Sequence, residues 1–87
     1  MITETERKKL RLLFQGYYAE DVLDILEEKK ITNRNGKPHN LQYIRLVFQG
    51  VRNNSDIEVA IWQLAKNRTD EIEKRELEKQ QILKKTI

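Results

Sequence analysis

With 87 residues, the chain suits one domain of four or five helices. It has no cysteine, which excludes a disulfide framework and a thiolate metal site, and we expect neither a membrane span nor a signal peptide because no apolar run is long enough. The net charge of +3 is small for a chain in which 36% of residues are charged, so the positions of the charges say more than their sum. We expect a cytoplasmic protein.

Two helices are predicted in the first third of the chain. Leu10 and Phe14 form an apolar i, i+4 pair upstream of Gly16, a residue that readily ends a helix. A second helix is predicted over about residues 17–30, because its apolar residues recur at helical spacing, with acids in the first turn and lysines in the last. Those apolar residues are Tyr18, Val22, Leu23, Ile25 and Leu26.

A polar loop is predicted from Ile31 to His39. The Asn35-Gly36 dipeptide is a strong turn signal, and Pro38 prevents a helix from running through the segment. A rudimentary hairpin about Asn35-Gly36 is left open.

The third predicted helix has one apolar and one polar side. It starts at Asn40, a good N-cap, and runs to Gln49 before Gly50 ends it. The apolar side consists of Leu41, Ile44, Val47, Phe48 and Val51. The opposite side consists of Gln42, Arg45, Leu46 and Gln49.

Ser55 is predicted to cap a fourth helix, whose buried stripe is Ile57, Ala60, Ile61 and Leu64. Trp62 is expected in the core, with a dimer contact as the alternative. Residues 67–87 are mostly charged, and they predict either a helix that needs a partner or a disordered tail. Together these elements predict an all-α fold: a four- to five-helix helix-turn-helix domain over residues 1–66, followed by a charged, dimerising or solvated C-terminal helix or tail over 67–87.

Charge is segregated in the middle of the chain. Residues 17–28 contain five acids and no Lys or Arg, whereas residues 29–55 contain no acid. The bases of that acid-free stretch are Lys29, Lys30, Arg34, Lys37, Arg45 and Arg52. Such a stretch predicts a surface that faces a polyanion.

The polar side of the third helix suits base recognition in duplex DNA. In a helix-turn-helix, the apolar side fixes the helix on the domain while the polar side enters the major groove. A Gln such as Gln42 can bond adenine bidentately, an Arg such as Arg45 can bond guanine in the same way, and Leu46 can meet a thymine methyl. Duplex DNA is therefore the predicted partner.

The segment QYIRLVFQGVRNNSDIEVAIWQLA, residues 42–65, resembles the recognition helix and following helix of small phage-repressor and Cro-like regulators. It is also similar to the headpiece of lac-repressor-type regulators. The resemblance implies a small DNA-binding transcriptional regulator of phage or mobile-element type. Because a domain this small makes few base contacts alone, we expect it to bind DNA as a homodimer, associated with the nucleoid when bound. It implies base-reading roles for Leu41, Gln42, Arg45 and Leu46, and it implies that Asn40 and Gln49 lie near phosphates.

The loop departs from those families, because their turn has three or four residues while residues 31–39 intervene here. The RNGKP segment, residues 34–38, instead resembles the DNA-binding region of large serine recombinases, in which a similar segment precedes the recognition helix. Further contacts to the DNA backbone are expected from Arg34, Lys37, His39, Tyr43, Arg52 and Asn53.

Two other functions remain open: a protein-interaction module of the antirepressor or helical-partner type, and an accessory factor that bends DNA. We expect no enzymatic activity, because no Ser, Asp or Glu stands at motif spacing from His39, the single histidine. We likewise expect no cofactor and no bound metal.

Overall fold

The computed structural model describes residues 1–86, which form four α-helices. These are α1 (Glu4–Phe14), α2 (Ala19–Glu28), α3 (Leu41–Phe48) and α4 (Ser55–Thr86). No strand occurs among the residues described, so the predicted all-α fold is confirmed.

The start of α1 is fixed by a capping box. The Thr3 hydroxyl accepts a hydrogen bond from the Glu6 amide at 3.1 Å, and a Glu6 carboxylate oxygen accepts one from the Thr3 amide at 2.9 Å. The hydrogen bond from the Thr3 amide to the Glu6 carboxylate, followed by the interaction of the Thr3 hydroxyl with the same carboxylate, holds the pKa of Glu6 below its ordinary value. The helix ends where Gln15 adopts a left-handed conformation with φ of 53°.

The core lies where α1, α2 and α3 meet the first three turns of α4. Its aromatic centre joins three elements: the Tyr18 ring lies 5.6 Å from that of Phe14 in α1 and 4.6 Å from that of Phe48 in α3, between ring centroids. The buried apolar side chains are Ile2, Leu10, Phe14, Ala19, Val22, Leu26, Ile44, Val47, Phe48, Ile57, Ala60, Ile61, Leu64 and Ala65.

The second half of α4 leaves the core as a continuous helix. Ala65 is its last buried residue, and every side chain from Thr69 to Lys85 is exposed. At 1.5 Å per residue, the segment 69–86 extends about 27 Å beyond the domain. The charged tail is therefore helical in the structure and continues α4 without a break.

Three local expectations need correction. α2 is shorter than the predicted 17–30, because Tyr18 is its N-cap and Lys30 takes a left-handed φ of 58°. Asn54, not Ser55, caps α4: its side-chain oxygen accepts from the Ile57 amide at 3.1 Å. Trp62 lies 42% exposed instead of in the core.

The loop between α2 and α3 forms a turn, and no hairpin strands occur in it. The Asn33 side-chain oxygen accepts from the amides of Asn35 and Lys37, at 2.9 and 3.1 Å, and the Asn33 amide donates to the Lys37 carbonyl at 2.7 Å. Gly36 supplies the positive φ of 73° that this turn requires.

Candidate nucleic-acid interface

α3 packs on the domain along its apolar side, and its first turn is capped. Ile44, Val47 and Phe48 are buried, at 0 to 2% exposure. The Asn40 side-chain oxygen accepts from the Tyr43 amide at 2.6 Å, so the predicted N-cap is confirmed. The helix therefore has a single orientation relative to α2 and α4.

The end of α3 is fixed by an arginine that sequence reasoning missed. Arg7 of α1 donates from Nε to the Phe48 carbonyl oxygen at 2.8 Å and from Nη2 to the Ile2 carbonyl oxygen at 3.3 Å. Gly50 follows with a φ of 81°, and a Cβ at this position would lie 2.7 Å from Arg7 Nη2. No spacing rule could reveal the Arg7–Phe48 contact, because it spans 41 residues of sequence.

The other side of α3 carries three of the four predicted base-reading residues, namely Gln42, Arg45 and Leu46. The fourth, Leu41, lies on the apolar side and packs against the core. Gln42, Arg45 and Gln49 are exposed, and Leu41 and Leu46 are half-buried. Four of these five side chains belong to the eight residues of α3, Gln49 follows as its C-cap, and no acid lies among them.

Arg45 adjoins the beginning of α2. It lines a shallow pocket of about 360 Å³ together with residues 16–21. Burial raises the pKa of Tyr18, while the nearby positive charges of Arg45 and Arg11 act in the opposite direction. Arg11 is therefore a second cation on this side of the domain, one that sequence reasoning did not select.

A broader polar groove of about 590 Å³ lies at the beginning of α3. Its lining combines the α2–α3 loop, the first turn of α3, the segment before α4 and the first turn of α4, which contributes the acid Asp56. It brings together five predicted backbone contacts, which are Arg34, His39, Asn40, Tyr43 and Asn53. Lys37, Gln49 and Arg52 are exposed but do not line it.

His39 is placed differently from the other predicted contacts. It is only 8% exposed, and its ring stacks on that of Tyr43 with centroids 5.6 Å apart and planes 13° apart. This contact orients Tyr43 at the edge of the groove, and it leaves little of His39 for a ligand.

One acid of α2 has an internal role. Arg68 of α4 donates to Asp21 at 2.5 Å and to the Phe14 carbonyl oxygen at 3.0 Å, with its guanidinium 5.1 Å from the centroid of the Phe14 ring. This side chain thereby ties the end of α1 and the first turn of α2 to α4. The remaining acids of α2 are exposed, namely Glu20, Asp24, Glu27 and Glu28.

Within residues 1–86, no group of three His, Asp or Glu side chains is placed to hold a metal ion. None of the helices described is both long and apolar enough to cross a membrane. No protein-family model, curated protein or solved structure matches this chain.

Proposed function

We propose that this protein binds duplex DNA sequence-specifically as a small transcriptional regulator, with α3 in the major groove and as a homodimer. The observation that carries the proposal is α3 itself. It is a short helix that is capped by Asn40 at its beginning and bonded by Arg7 at its end. Its buried residues are Ile44, Val47 and Phe48, while Gln42, Arg45 and the C-cap Gln49 are exposed. A recognition helix needs this combination, because base contacts require a polar side held at a fixed angle.

Gln42 and Arg45 suit base recognition. Both can make two parallel hydrogen bonds to one base, Gln to adenine and Arg to guanine. Leu46 is half-buried beside them, and Leu41 is half-buried against the core, so that both keep some apolar surface for a thymine methyl. The fixed backbone of α3 would set the distance between these contacts.

The surroundings of α3 suit the phosphates on either side of a groove. Residues 29–55 contain no acid, and Arg34, Lys37 and Arg52 are exposed around α3. Arg11 adds a further positive charge near Tyr18. Contacts of this kind provide affinity and register but little sequence information. We leave His39 out of the proposed contacts because it is buried against Tyr43.

The test is a selection from a random duplex pool with the purified chain, followed by sequencing of the retained DNA. We expect an enriched palindrome, which reports a dimeric reader and its half-site spacing. The affinity for the selected site should fall with salt by about 0.9 log units per log unit of salt for each phosphate neutralised. Absence of retention at low salt would refute the proposal.

A protein-interaction function is the second candidate. Glu20, Asp24, Glu27 and Glu28 give α2 an exposed acidic side with no Lys or Arg between residues 17 and 28. A basic partner surface would complement it.

Retention of duplexes without sequence enrichment would instead favour the DNA-bending alternative.

A further inference from the structure

The exposed half of α4 carries a stripe of four residues: Ile72, Glu76, Lys79 and Leu83, hereafter the α4 stripe. Their spacing of four, three and four residues puts them on one side of the helix. The whole stripe spans eleven residues, which is about three helical turns, so its first and last residues point in nearly the same direction. Ile72 and Leu83 are 46% and 64% exposed. Neither Glu76 nor Lys79 forms an ion pair with another residue of the described chain.

The α4 stripe complements itself when two copies run in opposite directions. When the two-fold axis passes between Leu77 and Glu78 of each helix, Ile72 lies opposite the partner's Leu83. In the same arrangement, Glu76 lies opposite the partner's Lys79. Two-fold symmetry repeats both contacts, so each apolar residue meets an apolar residue and each charge meets its opposite. A parallel pair in register would instead place Glu76 against the partner's Glu76 and Lys79 against the partner's Lys79.

The wider charge distribution of α4 agrees with this direction. Residues 70–78 contain five acids and two bases, whereas residues 79–85 contain three lysines and no acid. The same antiparallel alignment sets the acidic segment 70–78 against segment 77–85 of the second copy. The acidic segment of each helix thereby runs alongside the segment of the other copy that contains Lys79, Lys84 and Lys85.

We infer that the α4 stripe docks a second copy of this chain as an antiparallel helix pair. The inference deepens the homodimer part of the proposed function by assigning its interface and direction. The Ile72 and Leu83 contacts provide attraction, since exposed ion pairs contribute little on their own. The Glu76 and Lys79 contacts select the antiparallel partner over the parallel one.

Sedimentation equilibrium of the full chain without DNA tests the interface. We expect a concentration-dependent dimer, with a dissociation constant raised about tenfold or more by Glu76→Lys or by Lys79→Glu, because each variant turns two attractive contacts into repulsive ones. The double charge swap should restore the wild-type value. An equimolar mixture of the two single variants should also form a dimer, since their charges complement each other. Lys74→Glu is the matched control, because this exposed lysine lies on the opposite side of α4.

Disulfide cross-linking tests the direction, since the chain has no cysteine of its own. Ile72→Cys mixed with Leu83→Cys should give a disulfide between the two variants. Either variant alone should cross-link poorly, because eleven residues separate the equivalent positions in an antiparallel pair, or about 16 Å. Efficient cross-linking of each variant with itself would overturn the antiparallel assignment. A monomer at all concentrations, or a dimer indifferent to both charge reversals, would overturn the interface and leave DNA binding to be judged by the duplex selection.

Discussion

Arg7 and Phe48 are 41 residues apart in sequence and are joined by a hydrogen bond of 2.8 Å from the guanidinium Nε to the main-chain carbonyl oxygen. Phe48 is the last residue of α3, so its carbonyl has no partner within the helix. Arg7 also holds the Ile2 carbonyl at 3.3 Å. The start of the chain and the end of the proposed recognition helix thus share one side chain.

Arg7→Ala should lower the free energy of unfolding by about 1–3 kcal/mol, because it leaves a part-buried carbonyl without its charged donor. Urea unfolding followed by circular dichroism measures this change. The control is Lys8→Ala, at an exposed position of the same helix, which should change stability by no more than about 0.5 kcal/mol. Equal effects of the two variants would show that the Arg7 bond contributes nothing to stability.

Gly50→Ala should destabilise the protein more than Gly36→Ala. Both glycines have a positive φ, of 81° and 73°, which costs about 1–2 kcal/mol for an L side chain. A Cβ at Gly36 meets open space, whereas one at Gly50 would lie 2.7 Å from Arg7 Nη2 and displace that guanidinium. In the Arg7→Ala background, the excess cost of Gly50→Ala should therefore disappear. If Gly50→Ala still cost more stability than Gly36→Ala in the Arg7→Ala background, the extra cost would not come from displacing Arg7.

Phe48→Ala should cost about 3–5 kcal/mol, because the ring is 2% exposed and contacts the rings of Phe14 and Tyr18. Thermal and urea unfolding measure the loss. Leu12→Ala provides the comparison, since Leu12 is 80% exposed and its truncation should have little effect. A loss of free energy of unfolding for Phe48→Ala as small as that for Leu12→Ala would mean that the core repacks to fill the cavity.

Gln42→Ala and Arg45→Ala should each leave the fold intact and weaken binding to the selected duplex by about 1–3 kcal/mol, with relaxed preference at one base pair. The reason is that both side chains are exposed, so their truncation removes only the proposed base contacts and no packing. Fluorescence anisotropy with matched and single-mismatch duplexes measures both effects. Lys74→Ala is the control, since it removes an exposed positive charge nine residues beyond the last buried residue of α4. Unchanged specificity in both α3 variants would rule out α3 as the base-reading helix.

The free energy of unfolding should decrease as the pH rises above the ordinary tyrosine pKa of about 10. The decrease should be steeper in the wild type than in Tyr18→Phe. Burial raises the pKa of Tyr18 in the folded chain above its unfolded value, so the folded state holds the phenol proton more tightly. The stability gained is complete below the unfolded pKa and is lost as the pH rises through the folded pKa. Arg45 and Arg11 oppose this shift, so Arg45→Ala should move the folded pKa further upward. Urea unfolding between neutral pH and pH 11 tests the first expectation, and ultraviolet titration tests the second.

The sequence predicted the elements whose signals are local. Helical spacing located α2, α3 and the buried part of α4, and Asn40 was recognised as a cap because its side chain bonds within its own turn. The polar side of α3 followed from the same spacing, because a helix with Ile44, Val47 and Phe48 inward must turn Gln42 and Arg45 outward. Whether those residues read bases stays a prediction.

The parts that sequence analysis missed depend on contacts between distant segments. Arg7 and Arg68 look like ordinary surface bases, yet they bond the carbonyls of Phe48 and Phe14, 41 and 54 residues away. His39 looked accessible before its helix, but Tyr43 stacks on it and the fold buries it. The cap of α4 was misplaced by one residue, because Asn54 and Ser55 are both good capping residues.

The continuity of α4 has a mechanical consequence. Its first turns are embedded beneath α3, and Arg68 ties the next turn to α1 and α2 before the helix leaves the domain. No glycine or proline interrupts the helix afterwards, so it has no sequence-encoded hinge. The outer half of α4 is therefore rigidly coupled to α3. A partner that binds the C-terminal end of α4 would also determine the orientation of α3 relative to that partner.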